Sequence, residues 1–143
     1  NDLRISTMII NQTLEKPYYV MKMHANKLSA DKIKKSCDEN GFCMINMYKK
    51  INDKILIVKM QPGELCLITH TEPQAYAGAV AICEIVSTIK YDLKIKFVSY
   101  LQNRVSIKRL KQISPECQTH DMLIKVSEKQ FLKIIEISNQ TEL

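Results

Sequence analysis

The chain has 143 residues, 45% hydrophobic and 25% charged, and its 21 Lys and Arg against 15 Asp and Glu leave a net charge of +6. These values fit one folded domain with its own core and exclude a disordered polyelectrolyte; no apolar run reaches the length of a membrane-spanning helix. The basic excess favours a polyanionic partner, because attraction to phosphates does not depend on sequence.

Residues 1–16 are mixed in polarity and weakly periodic, so a lead-in segment is expected there, followed by a single domain over 17–143. Tyr18 to Met23 reads as a strand. A helix follows, with Ser29 as N-cap, Asp31 in the first turn and Ile33, Ser36 and Cys37 at helical spacing; Asn40-Gly41 ends it with a left-handed cap. Phe42 to Tyr48 and Ile55 to Met60 read as two further strands, joined through a turn at Asn52-Asp53. Pro62-Gly63 makes a tight turn into Leu65 to Thr69, a buried strand, and Gly78 to Val86 is its partner. The polar loop His70 to Tyr76 lies between them. Lys94 to Tyr100 alternates with period two, and Val105 to Ile113 reads as a short amphipathic helix that Pro115 stops. Met122 to Val126 is the last strand. Ser127 and Gln130 form a capping-box pattern that opens a terminal helix with Phe131, Leu132, Ile134 and Ile135 as its apolar stripe. Many short strands with only peripheral helices predict an α+β fold, a curled mixed or antiparallel sheet forming a small open β-barrel of about six strands.

No catalytic signature is present. Cys37, Cys43, Cys66, Cys83 and Cys117 contain no C-x-x-C pair, and three of them lie in apolar strand runs, where cysteine acts as a small hydrophobe. Free thiols in a reducing compartment, and hence a cytoplasmic location without a signal peptide or membrane partner, are expected; the sequons at Asn11 and Asn139 then carry no meaning. Three glycines cannot build a phosphate loop. Cys117 and His120 read as two surface polar residues in a loop, not as a nucleophile and its base. The expectation is a non-enzymatic chain with no metal, no cofactor and no catalytic residue.

Binding residues are better represented. Lysines and arginines cluster, and the group Arg104, Lys108, Arg109 and Lys111 lies in a stretch free of acids from Leu93 to Ser114. With Lys49 and Lys50 these are the candidate phosphate contacts. There is no Trp, and Phe42, Phe97 and Phe131 sit on apolar faces, which leaves tyrosines for stacking. Tyr48, next to Lys49-Lys50, and Tyr76, in the polar loop, combine a π-face with nearby cations or hydrogen-bonding groups.

The stretch P-G-E-L-C-L-I-T-H…Y-A-G-A-V-A-I-C-E-I-V-S (Pro62 to Ser87) resembles the central hairpin of PUA-like barrels, and of their EVE and YTH domains in particular. Ile95 to Tyr100, Arg109 to Ile113 and Asp121 to Ile135 resemble the closing strand, basic helix, strand and terminal helix, so the likeness covers roughly residues 17–137. Such a resemblance implies a PUA-like open barrel that binds DNA or RNA and takes a modified, extruded base into a pocket. It also implies further domains of a larger protein as partners, as in modification-dependent restriction systems of the McrB type. By position in the matching elements, the pocket residues are Tyr19, Met44, Asn46, Tyr48 and Tyr76, with Asn46, His70 and Gln74 bonding the base edge. YTH cages are rich in tryptophan; here Tyr, Phe or Met must form the walls. The alternative is a protein-interaction β-domain whose basic face serves only solubility.

Overall fold

Tyr19, Met21 and Met23 turn to one side of the first strand and Val20 to the other, and both sides are buried. That strand, β1 (Tyr18–His24), therefore runs inside a sheet, as does β3 (Leu65–Glu72), with Cys66 and Ile68 on the first face and Leu67 on the second. The computed structural model describes residues 16–46, 51–73 and 77–140. Among them are also β2 (Cys43–Asn46), β4 (Gly78–Ile89), β5 (Asp92–Val105) and β6 (Leu123–Val126), in one sheet of order β2-β5-β4-β3-β1-β6. β1 and β3 are parallel, and every other neighbouring pair is antiparallel. The parallel pair needs a crossover. It is supplied by α1 (Ala30–Asn40), β2 and α2 (Ile51–Ile57), which carry the chain past the far edge of the sheet and back.

The sheet curls into a half-barrel. Ile33 of α1 and Ile57 of α2 cover its first face; α3 (Ile107–Ile113), a 3-10 turn (Pro115–Gln118) and α4 (Glu128–Asn139) cover the second through Leu110, Cys117, Phe131 and Ile134. Local signals set the helix ends as expected. Ser29 Oγ accepts the Lys32 N–H at 3.1 Å, and Gly41, at φ +85°, closes α1. At α4 the capping box is complete: Ser127 Oγ accepts from Gln130 N–H, and Gln130 Oε1 accepts from Ser127 N–H. Gly78 adopts φ +143°, and a Cβ there would stand 2.4 Å from the Val105 carbonyl oxygen, so only glycine lets β4 approach β5 this closely.

Three expectations are corrected. Ile55 to Met60 is not a strand: α2 occupies Ile51–Ile57, with Asp53 and Ile57 buried and Ile51 and Ile55 exposed. A short apolar run satisfies either period, and here helical packing wins. His70 belongs to β3, not to a loop. Cys117 is 1% exposed, packed beneath α3 and α4, and is not a surface residue. All five cysteines are free thiols. Among the described residues, no helix is long and apolar enough to cross a membrane.

Candidate nucleic-acid interface

The curl brings the end of edge strand β2 to the end of β1, and α3 with residues 117–122 closes the space between them. The result is an open cleft of about 790 Å³. Its apolar lining includes Met23, Leu28, Met44, Ile45, Leu110 and Met122; Lys22, Lys27, Lys111, Asn46, Thr71 and Gln118 bring charge and hydrogen-bonding groups. Thioethers are polarisable and adapt their shape, so they suit a flat ligand face that must be gripped without a fixed stacking geometry.

The β1–β3 ladder is irregular where β1 reaches the cleft. Pairing is regular from Tyr18↔Leu65 to Met23↔His70 and then shifts, His24 facing Glu72. A bulge of this kind re-aims the side chains that follow it. His24 Nδ1 comes to lie 3.5 Å from Glu72 Oε2 at the rim, and Thr71 Oγ1 donates to the Met23 carbonyl at 3.4 Å. Lys22 fastens the opposite wall. Its ammonium donates to the carbonyls of Cys117, at 3.1 Å, and Thr119, and its N–H donates to the Met122 carbonyl at 2.7 Å. Residues 117–122 are thus tied to β1 through side chain and backbone.

Of the residues singled out in the sequence, Met44, Asn46 and Lys111 meet at this cleft. Tyr19 does not. It is 2% exposed in the first core, and its hydroxyl donates to Glu64 Oε1 at 3.4 Å; burial first, then Glu64, raises its pKa above the ordinary tyrosine value. His70 is also buried, and its Nε2 accepts the Ala30 N–H at 3.1 Å, so that nitrogen serves the start of α1 and not a base edge. Arg104, Lys108 and Arg109 are exposed, but Arg109 lines a different groove, between α3 and α4, with Gln112, Ile113 and Leu132. Tyr48, Lys49, Lys50, Gln74 and Tyr76 lie outside the described residues. Sequence reasoning missed Lys22, Lys27, Gln118 and Met122. A faint signal existed for Lys22, a single lysine inside the otherwise apolar run Tyr18 to Met23.

Cys117 lines the cleft within three residues of His120, and burial pushes its pKa up to about 11, against the opposing pull of Lys22, whereas activation of a thiol requires a lowered one. Among the described residues, no group of three or more His, Cys, Asp or Glu could hold a metal ion.

A six-stranded curled sheet with helices on both faces and a cleft at the strand ends defines a PUA-like half-barrel. The family model of the EVE domain matches residues 17–139, and the chain belongs to the EVE domain family. Among solved structures, the protein Atu2648 from Agrobacterium tumefaciens is similar at a TM-score of 0.73 and 16% identity, over 89% of this chain and 96% of that one. Human THYN1 protein, in complex with 5-methylcytosine-containing DNA, is similar at a TM-score of 0.76 and 11% identity, over 89% and 100%. An ASCH protein from Zymomonas mobilis is more distant, with a TM-score of 0.54 and 8% identity over 87% and 98%. These likenesses show a shared fold. No match was found among curated proteins.

Proposed function

We propose that the chain is a nucleic-acid-binding module that takes an extruded base into the cleft. The observation that carries this reading is the convergence of Lys22, Lys27 and Lys111 around a cleft walled by Met23, Met44 and Met122. The cleft's volume falls within the range of about 300–1,000 Å³ common for small-ligand sites. Lys27 and Lys111 contact the phosphates flanking the base, Met44 and Met122 grip its faces, and Asn46 and Gln118 bond its edge. Membership of the EVE family and the fold shared with human THYN1, solved on 5-methylcytosine-containing DNA, support the assignment. The finer reading is a modified base as ligand and a role as the specificity domain of a larger restriction or RNA-modification protein.

The test is an anisotropy titration with modified and unmodified DNA and RNA oligonucleotides, single- and double-stranded, over a range of ionic strength. Affinity should fall steeply with salt, and one modified oligonucleotide should stand out. Weak binding that is flat in salt across the whole set would overturn the proposal.

A further inference from the structure

Helix α2 exposes an apolar stripe beside the cleft. Ile51 and Ile55 are 74% and 47% exposed, and their spacing of four residues sets them on one side of the helix; Val58, in the turn just past its end, is 60% exposed. The other side is anchored in the fold through Asp53 and Ile57. The stripe is not remote from the site already described. Asn52 Nδ2 donates to Asp121 Oδ2 at 3.5 Å, and Asp121 lines the cleft. Lys54, on the same helix, holds its ammonium 4.9 Å above the Tyr91 ring, which brings one positive charge to the helix that carries the stripe. Three side chains fall well short of the roughly 800 Å² per partner that a stable protein interface buries. One or two apolar side chains suffice, by contrast, to enter a base step of a duplex.

Resting on the base-extrusion reading above, we propose that Ile51 and Ile55 form a wedge that enters a DNA duplex beside the nucleotide taken into the cleft and fills the gap left in the base stack. Removing a base from the stack costs free energy because its neighbours lose their stacking partner. An isoleucine in that gap restores apolar contact and takes its own side chain out of water, so both surfaces gain. Lys54, on the same helix as the wedge, and Lys27, on the cleft lining, supply the positive charge for the phosphates of the opened step. A single strand has no stack to reseal, so the wedge matters only for a duplex.

This difference sets the experiment. The double variant I51S/I55S changes two exposed side chains and leaves the buried Asp53 and Ile57 in place. Its affinity is compared with that of the unaltered chain for a short DNA duplex with one central mismatch, for the same sequence as a single strand, and with 2-aminopurine next to the mismatch. The expected result is a loss of about tenfold or more on the duplex, with less than about a twofold change on the single strand. The rise in 2-aminopurine fluorescence produced by the unaltered chain should also disappear. Equal losses on both probes, or none on the duplex, would overturn the wedge. So would sedimentation showing that the unaltered chain self-associates through the stripe and the variant does not. If the unaltered chain binds single strands in a salt-dependent way but not the duplex, the wedge falls and the proposed function stands; if it binds neither, both fall.

Discussion

Asp53 Oδ1 accepts the backbone N–H of Leu123 at 3.0 Å, and this bond joins the helix that leaves one edge of the sheet, after β2, to β6 at the other edge. Asp53 is 1% exposed and its partner is likewise buried. Removing the carboxylate leaves a buried donor without an acceptor, a change that costs about 1–3 kcal/mol. Asp53→Ala should therefore lower the unfolding free energy by about 2 kcal/mol in urea, and Asp53→Asn, which keeps an oxygen in place, by distinctly less. Equal effects of the two substitutions would show that the carbonyl-type acceptor is not what matters.

Gly78 makes a second closure, between β4 and β5. Its φ of +143° disfavours any side chain, and the Val105 carbonyl oxygen occupies the space a Cβ would need. Gly78→Ala carries backbone strain of about 1–3 kcal/mol in addition to that clash. We expect a drop of more than about 2 kcal/mol in stability, against a negligible one for alanine at an exposed strand position such as Gln102. Chemical denaturation of both variants checks this, and comparable curves would refute it.

The thiols predict a dependence on alkaline pH. Burial raises the pKa of Cys43, takes Cys66 well above its ordinary value, and brings Cys83 to about 12 and Cys117 to about 11. In the unfolded chain these groups ionise near about 8.5. The folded state then holds more protons above that pH, so stability is fully present below it and is lost as pH rises toward the folded values. The denaturation midpoint should fall between about pH 8 and about pH 10.5, and Cys83→Ala should make that decline shallower. At about pH 8 the native chain should react with a thiol reagent first at Cys37, the half-buried one, and at the other four on unfolding. Five thiols reacting at one fast rate would contradict the burial described.

Lys111 and Arg109 sit two residues apart on α3 yet line different concavities, the first the cleft and the second the groove against α4. Under the proposed function, Lys111→Ala should weaken nucleic-acid binding and flatten the plot of log K against log salt. The slope should fall by about 0.9 on duplex DNA, or about 0.7 on a single strand, the change expected when one phosphate is no longer neutralised. Arg109→Ala should leave the slope nearly unchanged. The reverse ranking in a salt titration would move the interface to the α3–α4 face.

Local devices were legible in the chain because they close within a few residues. Ser29 with Gly41 bounds α1, and Ser127 with Gln130 opens α4, through geometry that spans only three or four positions at each end. Apolar runs and period-two alternation likewise marked β3, β4 and β5; the pattern of strands and helices was enough to expect a small open barrel, and the resemblance of Pro62 to Ser87 and of the closing elements implied a PUA-like one. Three features depended on interactions between distant segments. Helix Ile51–Ile57 is held through Asp53 to Leu123, seventy positions away, and a short apolar run has no period strong enough to predict it alone. Register in β1 sent Tyr18 onto Phe131, 4.5 Å between ring centroids, and Tyr19 into the opposite core, so neighbouring tyrosines on one strand have unrelated surroundings. The cleft draws Lys22, Met44, Lys111 and Met122 from four separate segments. Sequence alone thus determined most of the strands, the caps of two helices and a family resemblance; curvature of the sheet, a property of the assembled strands, decided which side chains share a site.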